Sequence, residues 1–194
     1  MKLKFARALA TCAFGTVVAA PSFAANDLTG TTVGVTWLYP DSSTTYATQD
    51  VVVGPGAEIT CAGGSAGTGL CPGFVDAAHI DIGAQDLSLT IDSGTTAWSG
   101  SAFNGYEFSN LSAGGTWTGY TLSTSFAGLD TSRITFTPDA VWVNMEGITP
   151  DAGQAFDITL LAGSAPIPEP TSPALLLAGL GALAVIARRR RAQQ

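Results

Sequence analysis

"QDLSLTID", residues 85–92, decides what kind of secondary structure this chain is built from. Leu87, Leu89 and Ile91 alternate with Asp86, Ser88, Thr90 and Asp92. That period of two puts the apolar side chains on one face of an extended strand and the polar ones on the other. The pattern repeats on both sides. "GTTVGVTWL" aligns Val33, Val35 and Trp37; "AHIDIG" aligns Ile80 and Ile82; "SRITFT" aligns Ile134 and Phe136. "AVWVNM" aligns Val141, Val143 and Met145, and "AFDITLL" aligns Phe156, Ile158 and Leu160. No helical apolar stripe of useful length interrupts them between Asp27 and Leu161. Turn signals separate the runs: Asn104-Gly105 suits a tight hairpin, and Thr-Pro-Asp-Ala occurs at Thr137–Ala140 and again at Thr149–Ala152. Many short strands with one wet face each require two packed sheets. The expectation is an all-β, antiparallel β-sandwich, jelly-roll or immunoglobulin-like, of about 8–10 strands.

The chain ends carry a different chemistry. Lys2, Lys4 and Arg7 precede an apolar run from about Ala8 to Ala20 and a small-x-small pattern at Ser22-Phe23-Ala24. This reads as a secretory signal peptide over residues 1–24, cut between Ala24 and Ala25. Three of the eight Lys and Arg residues lie in that leader and four are Arg188, Arg189, Arg190 and Arg191, which leaves Arg133 alone in the body. Fourteen of the fifteen acids lie in the body, giving it a formal charge of −13. Such a field repels phosphate backbones, so nucleic-acid binding is excluded, while cations and neutral sugars remain admissible.

With Cys12 removed in the leader, Cys61 and Cys71 are an even pair in an exported chain and bracket the flexible "AGGSAGTGL". A local disulfide is the expected outcome. Other chemistry is sparse. Gly63-Gly64-Ser65-Ala66-Gly67 fits G-x-S-x-G, with Asp76 and His79 following. That mechanism, however, needs a strained strand-to-helix turn and partners distant in sequence, and neither is present. His79 is the single histidine and reads as an exposed strand residue. Asp76, Asp81, Asp86 and Asp92 are spread along extended chain, so no cofactor is called for, although an external acidic domain would admit Ca²⁺. Trp98, Trp117 and Trp142 are the candidate platforms for stacking a sugar ring, weighed against places in the core. Asn110-Leu111-Ser112 matches a glycosylation sequon. No catalytic residue is assigned and the protein is not expected to be an enzyme.

The C-terminal segment, residues 166–194, has three parts. Pro168-Glu169-Pro170 sits in a proline-rich stretch that cannot pair as a strand. An uncharged run follows, with an expected transmembrane helix over 173–187; counted from Ser172 it would rise about 24 Å, short of a ~30 Å hydrocarbon core. Arg188–Arg191 would then stop on the cytoplasmic side. These three parts, in this order, resemble the PEP-CTERM sorting signal. The resemblance implies a Gram-negative bacterium that makes exopolysaccharide and processing of this chain, as a substrate, by an exosortase cutting near Pro168, Glu169 and Pro170. The body, residues 25–165, looks like the small Thr/Gly-rich β-domains that precede such signals, through "VVVGPGAEIT" and "FNGYEFSNL". The implied function is that of a secreted, non-enzymatic surface or matrix protein associated with exopolysaccharide and biofilm, its precursor held in the membrane by the helix. A carbohydrate-binding or Ca²⁺-dependent adhesive module is the alternative.

Overall fold

The alternating stretches become strands of two antiparallel sheets. The structure is a computed structural model that describes residues 26–163, together with Arg188 and Arg191. Ten strands follow in order: β1 (Thr32–Leu38), β2 (Thr45–Val52), β3 (Ile59–Cys61), β4 (Ala78–Ile82), β5 (Asp86–Ile91), β6 (Gly105–Ser109), β7 (Trp117–Thr124), β8 (Ile134–Phe136), β9 (Ala140–Asn144) and β10 (Ala155–Ala162). One sheet has the order β2-β1-β6-β9-β8 and the other β3-β4-β5-β10-β7. In an immunoglobulin domain the second strand is interior to its sheet. Here β1 is interior and β2 is the edge, so that part of the expectation is corrected.

The inward residues of both sheets meet in one hydrophobic cluster. Leu87, Leu89 and Ile91 of β5 have no exposed surface, and neither do Val33 and Val35 of β1, Tyr106 and Phe108 of β6, or Val141 and Val143 of β9. Burying side chains of this size stabilises the fold by roughly 1.5–3 kcal/mol each, which drives the alternating strands to pair in a register that keeps one face dry. The Thr137–Ala140 turn joins β8 to β9, with the Thr137 N–H donating to the Ala140 carbonyl at 2.8 Å.

Asn104-Gly105 does not form the expected tight hairpin. Gly105 instead opens β6, whose neighbours are β1 and β9. A Cβ at this position would overlap the Val143 carbonyl oxygen, so the glycine serves close strand approach. The transmembrane helix expected over 173–187 is also corrected. That segment lies outside the described residues, and among the described residues no helix is long and apolar enough to cross a membrane. The signal peptide, its Ala24–Ala25 junction, and Pro168, Glu169 and Pro170 lie outside the described residues too.

Candidate functional site

The most elaborated concavity lies where the end of β1, the start of β2 and the Cys61–Cys71 loop converge. Cys61 and Cys71 form a disulfide across ten residues of chain. The loop folds back on its own exit: the Gly64 N–H donates to the Val75 carbonyl at 2.6 Å, and the Ser65 N–H to the Phe74 carbonyl at 2.9 Å. Ser65 adopts a left-handed backbone, φ 54°, a conformation that costs a non-glycine residue energy and persists only where its surroundings fix it.

Trp37 forms the floor. It pairs with Ala47 of β2 and Tyr106 of β6, and its indole N–H donates to the Asn104 Oδ1 at 2.9 Å. Asn104 is buried and its amide donates to the Ser99 carbonyl at 3.1 Å, which fixes the orientation of the acceptor. A Cβ on Gly73 would overlap the Trp37 ring, so the six-membered ring rests directly on that glycine backbone.

Tyr46 supplies the open wall. Trp37 pairs with Ala47 and Leu38 with Thr45, so Tyr46 is the extra residue of a β-bulge on an edge strand. Bulges re-aim side chains. Here the phenol ring stands 5.4 Å from the Trp37 ring, tilted by 53°, and remains 58% exposed. The resulting cleft has a volume of about 360 Å³ and is lined by Trp37, Tyr39, Tyr46, Ser65, Ser99 and Asn104, with small or apolar residues between them. No residue carrying a formal charge lines it.

The three tryptophans singled out in the sequence lie elsewhere. Trp98 and Trp117 are buried, 2% and 1% exposed, and Trp117 spends its indole N–H on the Leu111 carbonyl at 2.7 Å. Neither offers a ring face to a ligand, because large aromatic surfaces gain most by filling the space between the sheets. Trp142 is half-buried on the outer face of its sheet, between Glu107 of β6 and Thr135 of β8. Trp37 and Tyr46 were missed because Trp37 reads as an ordinary inward residue of β1. The bulge that exposes Tyr46 has no signature in "TYATQDVV".

The Ser65, Asp76 and His79 series is not assembled. His79 Nδ1 lies 2.8 Å from Asp92 Oδ1, Asp76 accepts from the Thr96 hydroxyl at 3.3 Å, and Ser65 lies in the cleft. Among the described residues no group of three or more His, Cys, Asp and Glu side chains is placed to hold a metal ion. Asp81 of β4 and Asp157 of β10 both flank Ser88 of β5 in one cross-strand row. Partial burial and the nearby Asp86 carboxylate push the Asp157 carboxyl above the ordinary aspartate value, against a hydrogen bond from Thr159. The Asn110 side-chain amide of the sequon donates to the Thr32 carbonyl at 2.6 Å.

The folded domain is thus an acidic β-sandwich with one disulfide and a charge-free aromatic cleft. Its C-terminal segment places it in a trafficking class. The PEP-CTERM protein-sorting motif matches residues 166–191, so the sorting motif is present and the chain is a secreted, exosortase-sorted extracellular protein. No curated protein and no solved structure matches the chain. What the motif supports is export and processing by an exosortase. The membrane-anchored precursor, and the membrane as a partner, are corrected along with the helix on which they depended.

Proposed function

We propose that the chain is a non-catalytic β-sandwich displayed at the cell surface or in the exopolysaccharide matrix, with Pro168-Glu169-Pro170 as the element its exosortase reads. The observation that carries this reading is the sorting motif at residues 166–191, which begins shortly after β10 ends at Ala162. Proline fixes φ and removes backbone donors, so the sequence around Pro166, Pro168, Pro170 and Pro173 is a poor strand former, which suits a segment that a protease must read. Secretion through a leader over residues 1–24 agrees with a disulfide in the body, because oxidising compartments maintain such bonds.

The test is the intact mass of the protein recovered from the envelope or medium of its own cells. The expected species lacks residues 1–24 and ends near the Pro-Glu-Pro segment, and deleting the exosortase restores the C-terminal mass. Recovery of the uncut C-terminus from cells with an active exosortase overturns the reading.

A further inference from the structure

We infer that the cleft between Tyr46, Trp37 and the Cys61–Cys71 loop is a binding site for a neutral saccharide. The site belongs to the folded domain and does not depend on how the C-terminus is processed. Charge supplies the first argument. The body carries one arginine against fourteen carboxylates, yet no charged residue lines the cleft. A cation site would gather carboxylates, and an anion would meet the repulsive field of the whole domain. An uncharged ligand is what a charge-free recess in an acidic body selects.

The lining narrows the class further. The exposed Tyr46 ring offers an apolar face, backed by Trp37 at 5.4 Å, on which the C–H face of a pyranose can stack. Around it stand Tyr39, Ser65 and Ser99, whose hydroxyls can exchange hydrogen bonds with sugar hydroxyls, while the buried Asn104 behind them is committed to holding Trp37. A purely apolar ligand would displace water from these hydroxyls and offer them no hydrogen bond in return, at a cost. The volume of about 360 Å³ lies at the lower end of small-molecule sites, and the cleft is open along one side. It therefore suits about one or two sugar units of a longer chain passing over the surface.

The walls are also held before any ligand arrives. The disulfide and two backbone hydrogen bonds fix the loop, Gly73 seats Trp37, Asn104 clamps its indole, and the bulge turns Tyr46 outward. Preorganisation of this kind reduces the ordering cost of binding. Contact with Trp37 accounts for part of the Tyr46 ring, and the larger, exposed part is the face left open to a ligand.

The experiment titrates the exported protein with neutral oligosaccharides of glucose, mannose, galactose and N-acetylglucosamine, and with oligogalacturonate as an acidic comparator, followed by calorimetry and tryptophan fluorescence. Saturable binding of at least one neutral oligosaccharide is expected, unchanged by EDTA and stronger than binding of the acidic one. Tyr46→Ala should weaken it about tenfold, ~1.4 kcal/mol, while Trp142→Ala on the outer face leaves it unchanged. Tyr46 is exposed and Trp142 half-buried on an outer sheet face, and thermal melts check that both variants fold. Absence of binding to every neutral oligosaccharide overturns the inference. Equal binding by Tyr46→Ala, loss of binding in Trp142→Ala, dependence on a divalent ion, or preference for the acidic sugar overturns it as well.

Discussion

Gly73 and Tyr106 show how single residues hold the cleft and the core behind it. At Gly73 a methyl group would overlap Trp37 Cζ3 and come within 2.8 Å of its Cη2. Gly73→Ala must therefore displace the indole, strain its bond to Asn104, and cost about 1–3 kcal/mol through overpacking, read as a lower urea midpoint at unchanged slope. Tyr106 poses the opposite case. Its ring stacks on Phe74 at 6.1 Å, but its hydroxyl and the neighbouring Trp98 Nε1 are buried without a hydrogen-bond partner. Burial raises the phenol well above its ordinary pKa, with the indole N–H acting in the other direction. The hydroxyl stays neutral, and the approach of the Trp98 indole N–H, which falls short of a hydrogen bond, offsets only part of its desolvation cost. Tyr106→Phe should be neutral or stabilising by up to about 1 kcal/mol, and a loss beyond that in equilibrium unfolding would reveal a partner for the hydroxyl. Neither role is legible in sequence. "CPGFV" resembles any turn, and a tyrosine between Gly105 and Glu107 reads as one more strand residue, because what defines both sites is contact with β1, more than thirty residues away in the chain.

At the scale of elements, legibility followed burial. β1, β4, β5, β9 and β10 were readable because their inward side chains are apolar and alternate with polar ones. β2 and β7 were not. Both lie at sheet edges, and their Thr-containing sequences keep most positions at least partly exposed, so backbone pairing defines them where hydrophobic period does not. The Cys61–Cys71 loop was readable as a disulfide but not as the wall of a cleft. Replacing both cysteines by alanine should cost about 2–3 kcal/mol by the chain-entropy argument for a loop of this length, and should release Ser65 from its left-handed conformation. An unchanged denaturation midpoint would deny the bond a stabilising role. β10 carries a pH term of known sign. The folded-state pKa of Asp157 is raised, so the native chain holds this proton more tightly than the unfolded chain. Stability is then highest below the ordinary aspartate value and falls as pH rises through the shifted one. Asp157→Asn should therefore raise the melting temperature near neutral pH and lose that advantage under acid conditions. Equal melting gains across the whole range would rule out the titration.

For the whole molecule, charge is the dominant unbalanced quantity. Among the described residues Arg133 is within 3.8 Å of Glu146, and His79 faces Asp92, which leaves most of the carboxylates without a cationic neighbour. A net −13 body opposes its own compaction, so the sandwich is held against that repulsion by apolar burial between its sheets. The repulsion acts between exposed groups over distances that salt screens, with a Debye length of about 10 Å at 0.1 M and about 30 Å at 0.01 M. Raising NaCl from about 10 to about 300 mM should accordingly raise the melting temperature of the exported protein, by an amount that shrinks when several outward carboxylates are replaced by their amides. A protein stabilised mainly by surface ion pairs would respond in the opposite direction, so a melting temperature that falls with salt contradicts this account. The same field bears on function. It keeps copies of the domain apart and discourages acidic polymers. The cleft is lined by no charged residue and its inferred ligand is neutral, so binding should show little salt dependence while the fold that presents it gains stability from salt.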